Sequence, residues 1–206
     1  MCLRVLPVVF AFALSCLMQA VVSAADFNCF VTDPIGDATV SSGQGFVGEP
    51  YQDIVRSEVS RTGTSITFAM DLAAPIPAAP EVKTGNGRIL WMWGVSTGPD
   101  APQGYPLGAG VAGVLEFWID VNWNGKSFSA EFVDRRPSLT GGDPIITVVP
   151  FTMVGSHVGV TVDSSRLGDP ASFSWGSSTW ALPASHIGNT DLHKLDAAPI
   201  GGLRCP

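Results

Sequence analysis

The chain has 206 residues, of which 46% are hydrophobic and only 14% are charged. Eighteen acidic residues outnumber eleven basic ones, and the formal net charge is −7 at pH 7. An acidic chain without a basic patch argues against nucleic acid and anionic membrane surfaces as partners. After residue 24 no apolar run is long enough to span a bilayer, so no membrane span is expected.

Residues 1–24 have the pattern of a secretory signal peptide. Arg4 is their only charge, an apolar run follows it, and small residues precede position 25. Ala13–Cys16 is similar to a lipobox, but Ala13 departs from that pattern, so a lipid anchor on Cys16 is the weaker interpretation. Cleavage leaves residues 25–206, with ten basic against 18 acidic residues and a net charge of −8. We therefore expect one secreted, periplasmic or extracellular domain over residues 25–206.

Two cysteines, Cys29 and Cys205, remain after cleavage, 176 positions apart. Two cysteines in an exported chain predict one disulfide, which here joins the two ends of the domain. Closing so long a loop contributes about 5 kcal/mol in the chain-entropy model. The alternative, a metal or redox pair, lacks a Cys-x-x-Cys spacing.

Short alternating segments between turn signals predict strands along the whole chain. Thr64–Ala73 has one apolar face and follows a Thr62-Gly63 turn, which predicts a half-buried hairpin strand. Arg88–Ser96 is apolar on both faces and predicts a central strand. Asn124-Gly125 predicts a type I′ hairpin turn. The other predicted strands are Asn28–Thr32, Asp53–Arg61, Val114–Trp123, Lys126–Asp134, Ile145–Met153, Ser156–Asp163 and Ala171–Leu182.

Residues 164–170 predict at most one helical turn, and the tail from Pro183 has little β character. About nine strands without an amphipathic helix predict an all-β fold, an antiparallel β-sandwich or jelly-roll.

Asp33, Asp37 and Asp53 lie around one turn-rich loop after the first predicted strand. The predicted disulfide would draw the tail to the same end of the domain, where Asp191 and Asp196 would join them. Carboxylate oxygens are the ligands of Ca²⁺, so calcium is the expected cofactor. The alternative is that Asp33 and Asp37 only cap turns by accepting backbone N–H bonds.

Trp118 shares one predicted strand face with Glu116, Asp120 and Asn122. An aromatic ring beside hydrogen-bonding groups favours a carbohydrate site. The alternatives are packing of Trp118 against a second layer and plain solvation of the acids. A carboxylate pair also serves glycoside hydrolysis when suitably spaced, but no nucleophile elbow or histidine metal motif is present. We therefore expect a protein that is not an enzyme.

Four segments together resemble secreted β-sandwich domains of the DOMON-like and carbohydrate-binding-module-family-9-like group: Asp33–Asp37, Ser65–Leu72 with the prolines that follow, Ser164–Asp169 and Asp196–Pro199. The resemblance implies a β-sandwich module that binds sugar, haem or calcium. No Met/His pair is placed for haem ligation. The resulting expectation is an exported, non-catalytic ligand-binding module, with carbohydrate or another extracellular protein as its partner. The alternative is a structural or interaction protein of the envelope or matrix without a small ligand.

Overall fold

The computed structural model describes residues 25–38, 48–81, 88–98, 115–182 and 193–206. These residues form an all-β protein of two antiparallel sheets, which confirms the predicted fold class. The predicted signal peptide, Cys16 and Asp191 lie outside the described residues. Within the described ranges, no helix is long and apolar enough to cross a membrane.

The first sheet has five strands. They are β1 (Phe27–Thr32), β2 (Ile54–Thr62), β3 (Ser65–Leu72), β8 (Phe151–Val154) and β9 (His157–Asp163), in the spatial order β1-β2-β3-β9-β8. The tight turn between β2 and β3 contains Gly63, whose φ of +59° explains the glycine.

The second sheet has six strands. They are β4 (Arg88–Ser96), β5 (Phe117–Trp123), β6 (Phe128–Asp134), β7 (Ile145–Val148), β10 (Phe173–Leu182) and β11 (His193–Cys205), in the spatial order β11-β10-β4-β5-β6-β7. β4 is central, as predicted. Asn124 closes the β5–β6 turn, because its Oδ1 accepts the backbone N–H groups of Lys126 and Ser127, both at 2.9 Å.

The core lies between the two sheets and consists of the inward-facing alternate residues of both. Trp91 and Trp93 are fully buried, and the Phe68 ring of the five-stranded sheet lies 6.3 Å from the Trp93 ring of the other. The indole N–H of Trp91 donates to the Tyr51 carbonyl at 3.0 Å, so its polar atom is satisfied. A buried phenylalanine such as Phe68 contributes about 1.5–3 kcal/mol.

The prediction of about nine strands was wrong for the second half of the chain, because the described residues form eleven. The predicted strand Ile145–Met153 is two strands, β7 and β8, which belong to different sheets. Pro150 lies between them and has no N–H for a continuous ladder.

The tail is also different from the prediction, because it forms the thirteen-residue strand β11. β11 pairs with β10 from Phe173↔Cys205 to Ala181↔His193. The pairing of the two strands shifts in register between Trp175 and Ser177, where residues 199–202 of β11 lie opposite Gly176 alone. The proline and glycines of residues 199–202 therefore occupy a bulge in an edge strand, where such residues are tolerated.

The predicted disulfide joins Cys29 of β1 to Cys205 of β11, with a Cα–Cα distance of 6.1 Å. β1 is an edge of the five-stranded sheet, and β11 is an edge of the six-stranded sheet. The bond therefore fastens the two sheets together along one side of the sandwich.

Candidate metal centre

The acidic loop begins where β1 ends. Asp33 is held there by its backbone N–H, which donates to the Val55 carbonyl at 2.9 Å. Gly36 then turns the chain with a φ of +93°, a left-handed conformation that glycine adopts without a steric penalty. This turn brings Asp37 back beside Asp33.

Asp53 supports this turn from the short segment that precedes β2. Its Oδ2 accepts the Gly36 N–H at 2.7 Å, and its side chain is only 4% exposed. Its other oxygen, Oδ1, is buried and has no hydrogen-bond partner among the described residues. Leaving a buried carboxylate oxygen unpaired is costly, so this atom indicates a missing donor or cation.

Asp196 reaches the same place from β11 of the opposite sheet. Its Oδ2 accepts the Ile54 N–H at 2.6 Å, and its Oδ1 accepts the Ala197 N–H at 2.7 Å. These bonds fix the orientation of a carboxylate that is only 7% exposed. Asp196 thus links the start of β2 to β11 by a hydrogen bond between the two sheets.

Three of the predicted ligands come together. One carboxylate oxygen from each of Asp33, Asp37 and Asp196 lies within 4.8 Å of the other two. Asp53 is adjacent through the Gly36 turn but is not part of this group. We call Asp33, Asp37 and Asp196 the acidic triad.

The electrostatics of the triad are those of acids without a counter-ion. Burial, and next the negative charge of Asp196, raises the pKa of Asp33 to about 7. Burial also raises the pKa of Asp196, although its two backbone hydrogen bonds lower it. Among the described residues, no Lys, Arg or His forms an ion pair with any of these aspartates.

The side-chain contact between Asp33 and Asp196 is a hydrogen bond only when one carboxyl group carries a proton. Asp33 Oδ2 is itself buried and receives no other hydrogen bond from the described residues. A proton or a cation therefore has to offset the charge of this pair.

The spacing and chemistry of the triad fit calcium. Ca²⁺ binds carboxylate and carbonyl oxygens at about 2.3–2.6 Å, so two oxygens on opposite sides of the ion are separated by about 4.6–5.2 Å. The oxygens of the triad lie within 4.8 Å of one another, so one Ca²⁺ can contact all three. Ca²⁺ accepts flexible sets of oxygen ligands, whereas Mg²⁺ demands a near-ideal octahedron and usually keeps several waters.

The second predicted set lies on the face of the six-stranded sheet that points away from the core. Glu116 is already engaged, because its Oε2 accepts both the backbone N–H and the hydroxyl of Thr97. Trp118 is half-buried, and the guanidinium of Arg135 lies 4.2 Å from the centre of its ring. The Trp118 Nε1 is buried and has no acceptor among the described residues.

The alternative of a solvated acid is wrong for Asp120, which is only 7% exposed, and Asn122 on the same face is only 2% exposed. The Ser129 hydroxyl donates to the side-chain Oδ1 of Asn122 at 3.2 Å, and the Nδ2 of Asn122 donates to Asp120 Oδ1 at 3.2 Å. Burial raises the pKa of Asp120 to about 6, while Asn122 and Arg88 oppose the shift. Glu131 lies directly opposite Asp120 on β6.

Sequence reasoning missed one further polar pair. His157 Nδ1 lies 2.8 Å from Asp71 Oδ1 across β9 and β3, on the outer face of the five-stranded sheet. A Cβ on Gly159 would lie 3.5 Å from His157 Nε2 and 3.2 Å from Thr152 Oγ1. The register between β3 and β9 brings Asp71 and His157 together, and sequence alone does not predict that register.

Comparison with family models, with curated proteins and with solved structures finds no significant match to this chain. The resemblance to the DOMON-like and family-9-like group therefore stays a hypothesis.

Proposed function

We propose that this protein is an exported, non-catalytic ligand-binding module whose acidic triad binds Ca²⁺. The observation that carries the proposal is the convergence of three carboxylates within 4.8 Å, beside the buried and unpartnered Oδ1 of Asp53. Turn capping alone explains the Asp53–Gly36 bond but leaves the triad without any positive partner.

The cation has a structural role in this proposal. Asp33 and Asp37 follow β1 of one sheet, while Asp196 belongs to β11 of the other. An ion held by all three lowers the repulsion between them and ties the sheets together beside the disulfide. Because the ion binds the folded state and not the separated carboxylates, it stabilises the fold.

Thermal unfolding with Ca²⁺ and with a chelator tests the proposal. At free Ca²⁺ about 100 times the dissociation constant, we expect about 2.7 kcal/mol of added stability. Asp37→Asn should abolish this gain, because it removes the charge of one of the three ligands at an exposed position. Asp143→Asn should retain it, since this exposed acid precedes β7, the edge opposite β11.

Equal melting temperatures in Ca²⁺ and chelator would contradict the calcium proposal. An equal gain with Mg²⁺ would contradict the choice of calcium, although not the site. Isothermal titration of the wild type with CaCl₂ gives the stoichiometry, which we expect to be one ion per chain.

Carbohydrate is the proposed ligand class of the module. The supporting feature is the outer face of the six-stranded sheet, where Trp118, whose Nε1 has no acceptor among the described residues, shares a strand face with Asp120 and Asn122. Arg135 lies over the Trp118 ring, so a sugar would bind the edge of the indole unless Arg135 moves. Retention on immobilised polysaccharides that is lost in Trp118→Ala supports this class, and absence of retention contradicts it.

A second candidate is an interaction protein without a small ligand. Edge strand β7 and the nearby end of β8 carry apolar side chains that face solvent, with Val148 and Val154 about three-quarters exposed. An exposed apolar edge favours addition of a strand from a partner. Concentration-dependent association that Val148→Lys abolishes would favour this candidate.

A further inference from the structure

We propose that the redox state of the Cys29–Cys205 disulfide controls the affinity of the acidic triad for Ca²⁺, so that the two form one redox-sensitive clasp. The inference rests on the proposed calcium site and adds its regulation. The disulfide and the triad both connect the β1 region to β11, at different positions along β11: Cys205 lies opposite Phe173 of β10, and Asp196 lies opposite Thr179.

The shared strands provide the geometry. Cys29 lies in β1, and Asp33 follows directly after that strand. Cys205 and Asp196 both belong to β11. β1 and β11 are edges of different sheets and share no ladder of backbone hydrogen bonds among the described residues. The covalent bond, the Asp196–Ile54 hydrogen bond and packing such as that of the Phe27 ring on Phe173 hold this side of the two sheets together, and the triad lies on the same side.

Both halves of the clasp are anchored to rigid elements. Cys205 is fully buried, and the indole N–H of Trp175 donates to its Sγ at 3.0 Å. Asp196 is fixed by the Ile54 and Ala197 N–H groups. Asp53, nine-tenths buried with one unpaired oxygen, supports the Gly36 turn at the same end and is a second indication of a cation there.

The coupling follows from the cost of bringing charges together. A Ca²⁺ ion needs the β1 carboxylates and the β11 carboxylate at the same time, and these repel each other in its absence. The disulfide prevents the repulsion from separating the edges, so the oxidised protein binds the ion in a more preorganised site. Thermodynamic reciprocity then requires that Ca²⁺ stabilise the disulfide to the same extent.

The redox step needs a small dithiol as reductant. One thiolate of the dithiol attacks a sulfur of the Cys29–Cys205 bond and forms a mixed disulfide, releasing the other cysteine as a thiolate. The second thiolate of the dithiol then releases the first cysteine and leaves as a cyclic disulfide. Two electrons pass to the protein, and its two sulfurs take up two protons to become thiols.

Titration of CaCl₂ into oxidised and reduced wild-type protein, and into Cys29→Ala/Cys205→Ala, tests the proposal. We expect the dissociation constant to rise about 5- to 150-fold when the bond is absent, the usual range of site-to-site coupling. Constants within twofold of each other would overturn the coupling while leaving the calcium site intact. No binding to the oxidised protein would instead overturn the proposed function.

The reciprocal measurement needs no cysteine variant and so does not depend on how that variant folds. The oxidised wild type is brought to equilibrium with mixtures of the dithiol and its cyclic disulfide, with and without saturating Ca²⁺, and the free thiols are alkylated and counted by mass. We expect Ca²⁺ to shift the equilibrium towards the protein disulfide in the wild type by the same factor that separates the two affinities, and to leave the equilibrium of Asp37→Asn unaffected. An unshifted equilibrium in the wild type, or an equal shift in Asp37→Asn, would overturn the proposal.

Discussion

The acidic triad and the Asp120 region are both buried acidic sites, but they satisfy their charges differently. Asp120 accepts the Asn122 amide, and Arg88 further favours its charged form. In the triad, Asp196 receives two backbone N–H groups while Asp33 Oδ2 receives no hydrogen bond from the part of the chain that the structure describes. Within that part of the chain, the Asp120 carboxylate has polar partners and the triad has no positive one.

The difference shows that a raised pKa alone does not identify a metal site. Burial raises the pKa of both Asp33 and Asp120. What distinguishes the triad is the number of acids and the absence of neutralising side chains. A cation should therefore bind the triad and leave the Asp120 region unchanged.

Asp196→Ala should have the largest effect on stability. It removes the acceptor of two buried N–H groups, each of which costs about 1–3 kcal/mol when unpaired. We expect a loss of about 2–4 kcal/mol by urea unfolding in chelator, after some relief of repulsion. Asp120→Ala should cost about 1 kcal/mol or less, because the lost Asn122 bond is offset by removal of a buried charge.

Asp196→Asn provides the matched control, since its carbonyl oxygen retains one acceptor without the charge. It should lose less stability than Asp196→Ala and bind no Ca²⁺. If Asp120→Ala proves the more damaging of the two alanine variants, the contrast between the regions is wrong.

The elements that sequence predicted well are those set by local chemistry. β4 is central because it is apolar on both faces. Asn124-Gly125 lies in the β5–β6 turn as predicted, but the predicted type I′ geometry was wrong, because type I′ needs a positive φ at both central residues and only Gly125, with a φ of +88°, has one. β11 was missed because its proline and glycines disfavour a strand locally, and pairing with β10 overrides this preference.

Some features of the candidate site were also predicted from the sequence, and others were not. Asp33, Asp37 and Asp196 were grouped correctly because the predicted disulfide implied that the chain ends meet. The burial of Asp120 was not predicted, because alternation along β5 identifies a face but not what packs on it. The Asp53–Gly36 bond depends on a turn conformation that sequence alone does not specify.

The pH dependence should differ between the two regions. Asp33 and Asp120 both have pKa values above the ordinary 3.8, at about 7 and about 6. Each therefore contributes stability that is fully present below about pH 4 and is lost as pH rises through its folded-state pKa. With a chelator present, Asp33→Asn should abolish the loss of stability that continues up to about pH 7. Asp120→Asn should abolish the loss of stability that is complete near pH 6.

The measurement is the difference between each variant and the wild type in urea unfolding from pH 4 to pH 8. Differences are needed because Asp134 and Asp163 have lowered pKa values and contribute with the opposite sign. At saturating Ca²⁺, the contribution of Asp33 to folding stability should no longer change with pH, whereas the contribution of Asp120 should change with pH as before. Identical difference curves for the two variants would show that the regions are electrostatically alike.

Gly36→Ala should have a smaller effect than Asp196→Ala and tests the turn itself. A methyl group at Gly36 meets no atom within 4 Å, so the penalty comes from its φ of +93° alone. A left-handed conformation costs a non-glycine residue about 1–2 kcal/mol. Gly63→Ala, at a φ of +59° and with equal space, should cost a similar amount of stability in chelator.

Only Gly36→Ala should also weaken Ca²⁺ binding, because its N–H orients Asp53 and its turn places Asp37 beside Asp33. Equal Ca²⁺ affinities in the two glycine variants would mean that the turn does not position the ligands.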